Sequence, residues 1–175
     1  MAEPIDYDPA KDTIDRLLGL TPEQKLYAIR HQRDKVAAAT QGSEEALFDP
    51  ALPGLTVVER LLVALLACKL TPAAELADYY QQKLVLEKAD PSLIAVVASG
   101  KIESLIDTRL KAMLSFTHTL ITDPIRGDQA ALKALPVAGI STPEVVTLSQ
   151  LIAFLSYQVR LAAGLKAMKA LEASA

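Results

Sequence analysis

The sequence holds one cysteine, Cys68, and two histidines, His31 and His118, and that scarcity closes off much catalytic chemistry. A single thiol cannot form a disulfide within the chain, so no disulfide framework is expected and the setting is a reducing compartment. A zinc site needs several histidine, cysteine or carboxylate ligands converging on one point. Neither HExxH nor CxxC occurs, and no metal is expected. The seven glycines form no P-loop, no G-x-G-x-x-G turn and no G-x-S-x-G elbow, so no cofactor is expected either. Charge is also sparse. At 22% charged residues and a net charge of -3, with no charged block longer than Arg30 to Lys35, nucleic acid and anionic membrane are excluded as partners. The opening residues, Met1 to Asp6, are acidic and lack an apolar stretch, unlike a signal peptide. Near the other end, the uncharged stretch Val145 to Val159 carries Thr147, Ser149, Gln150 and Gln158. It is shorter and more polar than the roughly 20 apolar residues a bilayer requires. A cytoplasmic protein is the expectation.

Apolar residues, by contrast, make up 51% of the 175 positions, enough for one domain to bury roughly two-thirds of its unfolded surface. Such a surplus also suggests a homo-oligomer. Strand-like alternation is short-lived, whereas helix signals recur along the whole chain. Thr21-Pro22-Glu23-Gln24 reads as a capping box with proline at the first helical position, and Gly42 as the stop of the helix it opens. Thr56-Val57-Val58-Glu59 is a second box, followed by Leu61 to Cys68, apolar on every side, which predicts a central helix from about Val57 to Leu70. Thr71-Pro72 ends that helix and opens the next, giving a helical hairpin. Asp90-Pro91 opens a short helix closed by Gly100. Ile102, Leu105, Ile106, Leu110 and Leu114 then mark one face of a longer helix that stops before Pro124. Asp128 caps a short helix ending near Pro136 and Gly139. Ser141-Thr142-Pro143-Glu144 opens the last helix, running to about Met168 and expected to share the centre. The prediction is an all-α bundle of about seven helices in a single domain, 1–175, with residues 1–11 a flexible tail. The two boxes that end in Glu59 and Glu144 each lead into an uncharged apolar helix, consistent with an internal two-helix repeat or with two buried helices built by the same rule.

Five side chains are candidates for chemistry. Cys68 lies in the most apolar helix, where burial disfavours the thiolate, and reads as inert. His118 borders an apolar face, four residues after Leu114, and could carry protons in a pocket or sit as a satisfied core histidine. Tyr79 and Tyr80 follow Leu76 by three and four residues, placing at least Tyr80 on an inward stripe as core or as a ligand contact. Arg160 ends the uncharged stretch and needs a carboxylate or carbonyl partner, or could anchor an anionic ligand. His31, among Arg30, Gln32 and Arg33, is expected to face solvent.

The segment from Leu55 through Cys68-Lys-Leu-Thr-Pro-Ala-Ala-Glu-Leu-Ala-Asp-Tyr-Tyr80 resembles the signature segment of the carboxymuconolactone decarboxylase and alkylhydroperoxidase D-like superfamily. The resemblance extends to Thr108–Pro124 and Ala138–Leu165, including Phe154-Leu-Ser-Tyr-Gln-Val-Arg160. It implies an all-helical, alkylhydroperoxidase D-like fold and a homo-oligomer, a dimer, trimer or hexamer. The peroxidase members carry a glutamate, eleven residues, C-x-x-C, three residues and a histidine. Those positions fall here on Leu61, on Ala73 and Leu76, and on Tyr80, so the resemblance implies a degenerate, peroxidase-related protein. Thiol peroxidase chemistry needs an attacking thiolate, a resolving thiol and a base, and all four motif residues are replaced. The expected role is an oligomeric binding or partner protein, for instance for a cysteine-bearing relative. The alternative is a cofactor-free enzyme of the decarboxylase type acting on a small organic acid or lactone, with His118 as proton carrier.

Overall fold

The computed structural model describes residues 7–174. They form nine α-helices, three short 3-10 turns and no strand. The α-helices are α1 (Thr13–Leu18), α2 (Lys25–His31), α3 (Asp34–Leu47), α4 (Val57–Leu70), α5 (Ala74–Leu86), α6 (Pro91–Ala98), α7 (Thr108–Thr122), α8 (Gln129–Val137) and α9 (Thr142–Ala173). Residues 1–6 of the expected tail lie outside the described residues. Residues 8–11 depart from that expectation, because Asp8 caps a 3-10 turn at Pro9–Lys11. Tyr7 beside it donates its hydroxyl to Asp12 Oδ2 at 2.9 Å.

Helix α4 occupies the centre. Its cap is reciprocal: Glu59 N–H donates to Thr56 Oγ1 at 3.1 Å while Thr56 N–H donates to Glu59 Oε2 at 2.7 Å. Every residue from Arg60 to Cys68 is buried, and α5, α6, α7 and α9 pack around them. Burying each of Leu61, Leu62, Leu65 and Leu66 stabilises the fold by about 1.5–3 kcal/mol, which is why an all-round apolar helix ends up inside. Arg60, also buried, gives its guanidinium to the carbonyls of Leu47 and Asp49 at 2.7 and 3.1 Å, tying the α3–α4 connection to the core.

Helix α9 is central on one face only. Leu148, Leu151, Ile152, Leu155 and Val159, at helical spacing, are buried, while Val146, Tyr157, Met168 and Leu171 are exposed. At 32 residues it outruns the expected end at Met168. By length and composition it could cross a membrane; its inner face packs on α4 and α7. Its cap resembles that of α4, with Glu144 Oε2 accepting from the N–H and hydroxyl of Ser141, both at 2.7 Å. The likeness covers the cap and the apolar turns behind it. Where α4 turns back into α5, α9 runs on unbroken.

Other expectations are corrected. The helix expected from Pro22 to Gly42 is two helices, α2 and α3, with Gly42 inside α3. Thr21 makes no side-chain cap, and α2 begins only at Lys25. Glycine inside a helix costs about 1 kcal/mol relative to alanine, and the face of α3 that buries Ala37, Ala38, Thr40 and Glu44 offsets it. The break at Gln32–Arg33 follows from Arg30 and His31, which reach across to α1 and its cap. Arg30 pairs with Asp12 at 3.0 Å and Asp15 at 2.8 Å. His31 Nε2 lies 2.6 Å from Asp15 Oδ2, its ring 4.2 Å from that of Tyr27. His31 is therefore largely buried rather than facing solvent. The run from Ile102 is likewise interrupted, because Asp107 caps α7 through the N–H groups of Arg109 and Leu110 and leaves Ile106 exposed. Helix α5 starts at Ala74, two residues later than expected, and Thr71 donates its hydroxyl back to Ala67 instead of capping forward. With α1 unforeseen and one predicted helix split, the described residues hold nine α-helices rather than about seven.

Candidate functional site

The α4–α5 hairpin carries Leu61, Ala73, Leu76 and Tyr80, of which Leu61, Leu76 and Tyr80 are buried in the core and Ala73 is half-buried. Leu61 and Tyr80 are sealed in the core, at 1% and 0% exposure. The Tyr80 hydroxyl donates to Gln158 Oε1 at 2.7 Å, Gln158 Nε2 donates to Glu44 Oε2 at 3.1 Å, and Tyr79 donates to Glu44 Oε1 at 2.6 Å. The Phe48 ring lies 5.3 Å from that of Tyr80. This chain of bonds joins α3, α5 and α9. Burial pushes the Tyr80 hydroxyl well above the ordinary tyrosine value, with Glu44 adding to the shift. Tyr79 is raised for the same two reasons, and burial raises the Glu44 carboxyl despite its hydrogen bond from Tyr79. A buried polar group must be bonded or it costs about 1–3 kcal/mol, and these four groups satisfy one another.

Cys68 is buried on the same central helix as Leu61. Burial pushes its thiol up to about 12, so almost none is thiolate near neutrality. Folded protein is expected to leave Cys68 unmodified by Ellman's reagent and to release one equivalent of signal in 6 M guanidinium. Rapid reaction of the folded protein would show that the thiol is open.

Ala73 and Leu76 border something different, a groove of about 530 Å³ between α1, the start of α5, the end of α7 and the C-terminal half of α9. Ile14, Leu17 and Leu18 form one wall, Leu120 and Ile121 another, and Val159, Ala162 and Ala163 the floor. Its polar fringe includes Glu75 and Lys166, which form an ion pair, and Arg160. The Lys166 ammonium holds the Glu75 carboxyl below its ordinary range.

The remaining sequence candidates divide the same way. Arg160 reaches the groove, with Nη1 on the Ser156 carbonyl at 2.8 Å. Tyr79 and Tyr80 belong to the core network. His118 is exposed, its Nδ1 3.4 Å from Thr122 Oγ1, and does not line the groove. Among the described residues no group of histidine, cysteine and carboxylate ligands could hold a metal ion.

A crystal structure described as an alkylhydroperoxidase AhpD core, an uncharacterized peroxidase-related protein from Ralstonia eutropha, superposes with a TM-score of 0.69. The match covers 93% of this chain and 91% of that one at 20% identity. The fold is that of the alkylhydroperoxidase core. No family model matches the sequence, and no curated protein does. The fold of that core thus recurs in this chain at 20% identity. Onto that core the resemblance places the redox pair at Ala73 and Leu76, beside the groove, and the glutamate and histidine at Leu61 and Tyr80, inside the core.

Sequence reasoning missed Glu44, Gln158 and Arg109. Glu44 was readable only with α3 continued through Gly42, when Ala37, Thr40, Glu44 and Phe48 fall on one face. Gln158 lay inside the examined α9 stretch, but nothing local pairs it with residues 78 and 114 positions away. Arg109 donates to Glu59 Oε1 at 3.0 Å, Glu144 Oε1 at 2.6 Å and the Gly139 carbonyl at 2.9 Å, bridging the two capping boxes.

Proposed function

We propose that the protein is a non-thiol binding protein, whose groove beside Ala73 and Leu76 holds an apolar molecule without transforming it. The observation that carries this reading is the lining of the groove. At about 530 Å³ it has the size of a small-molecule site, yet the residues along it include no thiol, imidazole or phenol. Its carboxylate, Glu75, is paired with Lys166. The acid–base alternative would bring a histidine, a tyrosine and a carboxylate together at a cavity. Here Tyr80 and Glu44 are buried, Tyr79 packs against the core and His118 is exposed, none of them on the groove, which favours binding over turnover. Exposed apolar side chains such as Val85, Leu86 and Leu171 further support a homo-oligomer, which sedimentation showing only an 18.8 kDa species would contradict.

Nile red, a neutral apolar dye, is expected to gain fluorescence with the protein. Ala163→Trp, a substitution at an exposed position of the groove floor, should abolish the gain, and Cys68→Ala should leave it intact. Neither protein should reduce hydrogen peroxide with dithiothreitol. Peroxide turnover that disappears in Cys68→Ala would overturn the proposal, as would a groove that takes up no dye.

A further inference from the structure

The groove has a charged end and an apolar length, and its charges do not cancel. Lys166 is neutralised by Glu75 across the α5–α9 rim. Arg160 has no carboxylate within ion-pair distance among the described residues, and its one hydrogen bond there, from Nη1 to the Ser156 carbonyl, uses one of five guanidinium N–H donors. From Arg160 the floor continues along α9 through Ala163 and Ala167 to Ala170. There Lys169 donates to the carbonyls of Leu18 and Gly19 and ties the helix to the end of α1. Ten residues of helix span about 15 Å. The small alanine side chains leave room above them, and Leu17, Leu18, Leu120 and Ile121 close the sides.

We infer that the groove binds an amphipathic monoanion, a carboxylic acid with an unbranched or aromatic apolar body, its carboxylate on Arg160 and its body along the alanines of α9 toward α1. One uncompensated guanidinium selects a single negative charge and repels a cation, and its planar fork suits a carboxylate. The apolar body gains by leaving water, and the length favours a chain of medium size over acetate or a small keto acid. A recess between four helices fits such a molecule better than the flat contact a second copy would need. This inference rests on the binding role proposed above and specifies its ligand class.

The test is calorimetric titration of the full chain with decanoate and with 1-decanol, both below their aggregation concentrations. Decanoate is expected to bind on the order of ten-fold more tightly than decanol, the usual contribution of a charge-assisted hydrogen bond. Arg160→Gln, at an exposed position, should remove that difference, and Ala163→Trp should abolish both. Equal affinities in the parent, or decanoate binding unaffected by Arg160→Gln, would overturn the carboxylate assignment and leave the binding role standing. Decanoate binding that survives Ala163→Trp would place the ligand elsewhere and overturn it too. Binding of neither compound would sink both readings. So would a parent dimer that Ala163→Trp splits into monomers without any ligand binding, since the groove would then belong to a second copy.

Discussion

Tyr80→Ala is expected to lower the stability of the folded protein by about 3–5 kcal/mol, the usual loss for a buried aromatic ring. In a chain of this length that corresponds to a fall in melting temperature of roughly 6–20 °C. Two effects combine. The ring is wholly buried against Phe48 and Tyr79, so its removal opens a cavity that α4 and α9 cannot close without shifting. Its hydroxyl is also the donor to Gln158 Oε1, and alanine leaves that buried acceptor unpaired. Tyr80→Phe separates the two, keeping the ring and losing the bond, and should cost only about 1–3 kcal/mol. Thermal denaturation followed by circular dichroism reads both. A Tyr80→Ala protein as stable as the parent would mean that the ring lines an open site, and the assignment of this position to the core would be wrong.

The position matters because the peroxidase motif that the sequence resembles carries a histidine there. A histidine there would move a proton; a tyrosine whose hydroxyl is pushed far above its ordinary value by burial cannot act as a base near neutrality. Leu61 closes the same region with an apolar side chain. Apolar side chains at three of the four motif positions favour closure of the whole region into core. That holds at Leu61, Leu76 and Tyr80 but not at the half-buried Ala73, and Ala73 and Leu76 still border a groove. The difference is one of helix position. Leu61 and Tyr80 face the α4–α5–α9 interior, whereas Ala73 and Leu76 lie at the start of α5, where α1, α7 and α9 diverge.

What the sequence could disclose follows the range of the interactions. The caps at Thr56, Asp90, Asp128 and Ser141 were legible because a cap is made within three residues of itself. The centrality of α4 was legible because a helix apolar on every side has no stable surface placement. The burial of His31 was not, since the partner that draws it inward, Asp15, is on another helix. The apolar side chains of α9 misled in the opposite direction, because composition cannot show that a 32-residue helix runs past the body that covers it. The groove was invisible for the same reason. It is the space left between four helices, and no single segment encodes it.

Arg109 shows most clearly how two local signals become one tertiary feature, and Arg109→Ala is expected to cost about 2 kcal/mol at pH 7. Its guanidinium spans Glu59 and Glu144, the closing residues of the two capping boxes, and so fixes the N-termini of α4 and α9 side by side. Gly54, at φ +92°, packs against this arrangement, and a Cβ added there would come within 2.8 Å of the Glu144 side chain. The figure stays modest because Arg109 is 28% exposed and water screens part of each ion pair. Its pH dependence is more diagnostic than its size. The hydrogen bond from Arg109, with those from Ser141, holds the Glu144 carboxyl down at about 2 from its ordinary 4.5. A carboxyl whose folded value is depressed stabilises the fold fully above its unfolded value, and that stability fades as pH falls from about 5 toward 2. The parent and the Arg109→Ala protein should therefore differ most above pH 5 and converge as pH approaches 2.5. Arg109→Lys keeps the charge but not the three-way fork, and should recover less than half of the loss. Urea denaturation at pH 7 and pH 3 measures the difference, and an equal gap at both pH values would mean that Arg109 acts through packing rather than through the two carboxylates.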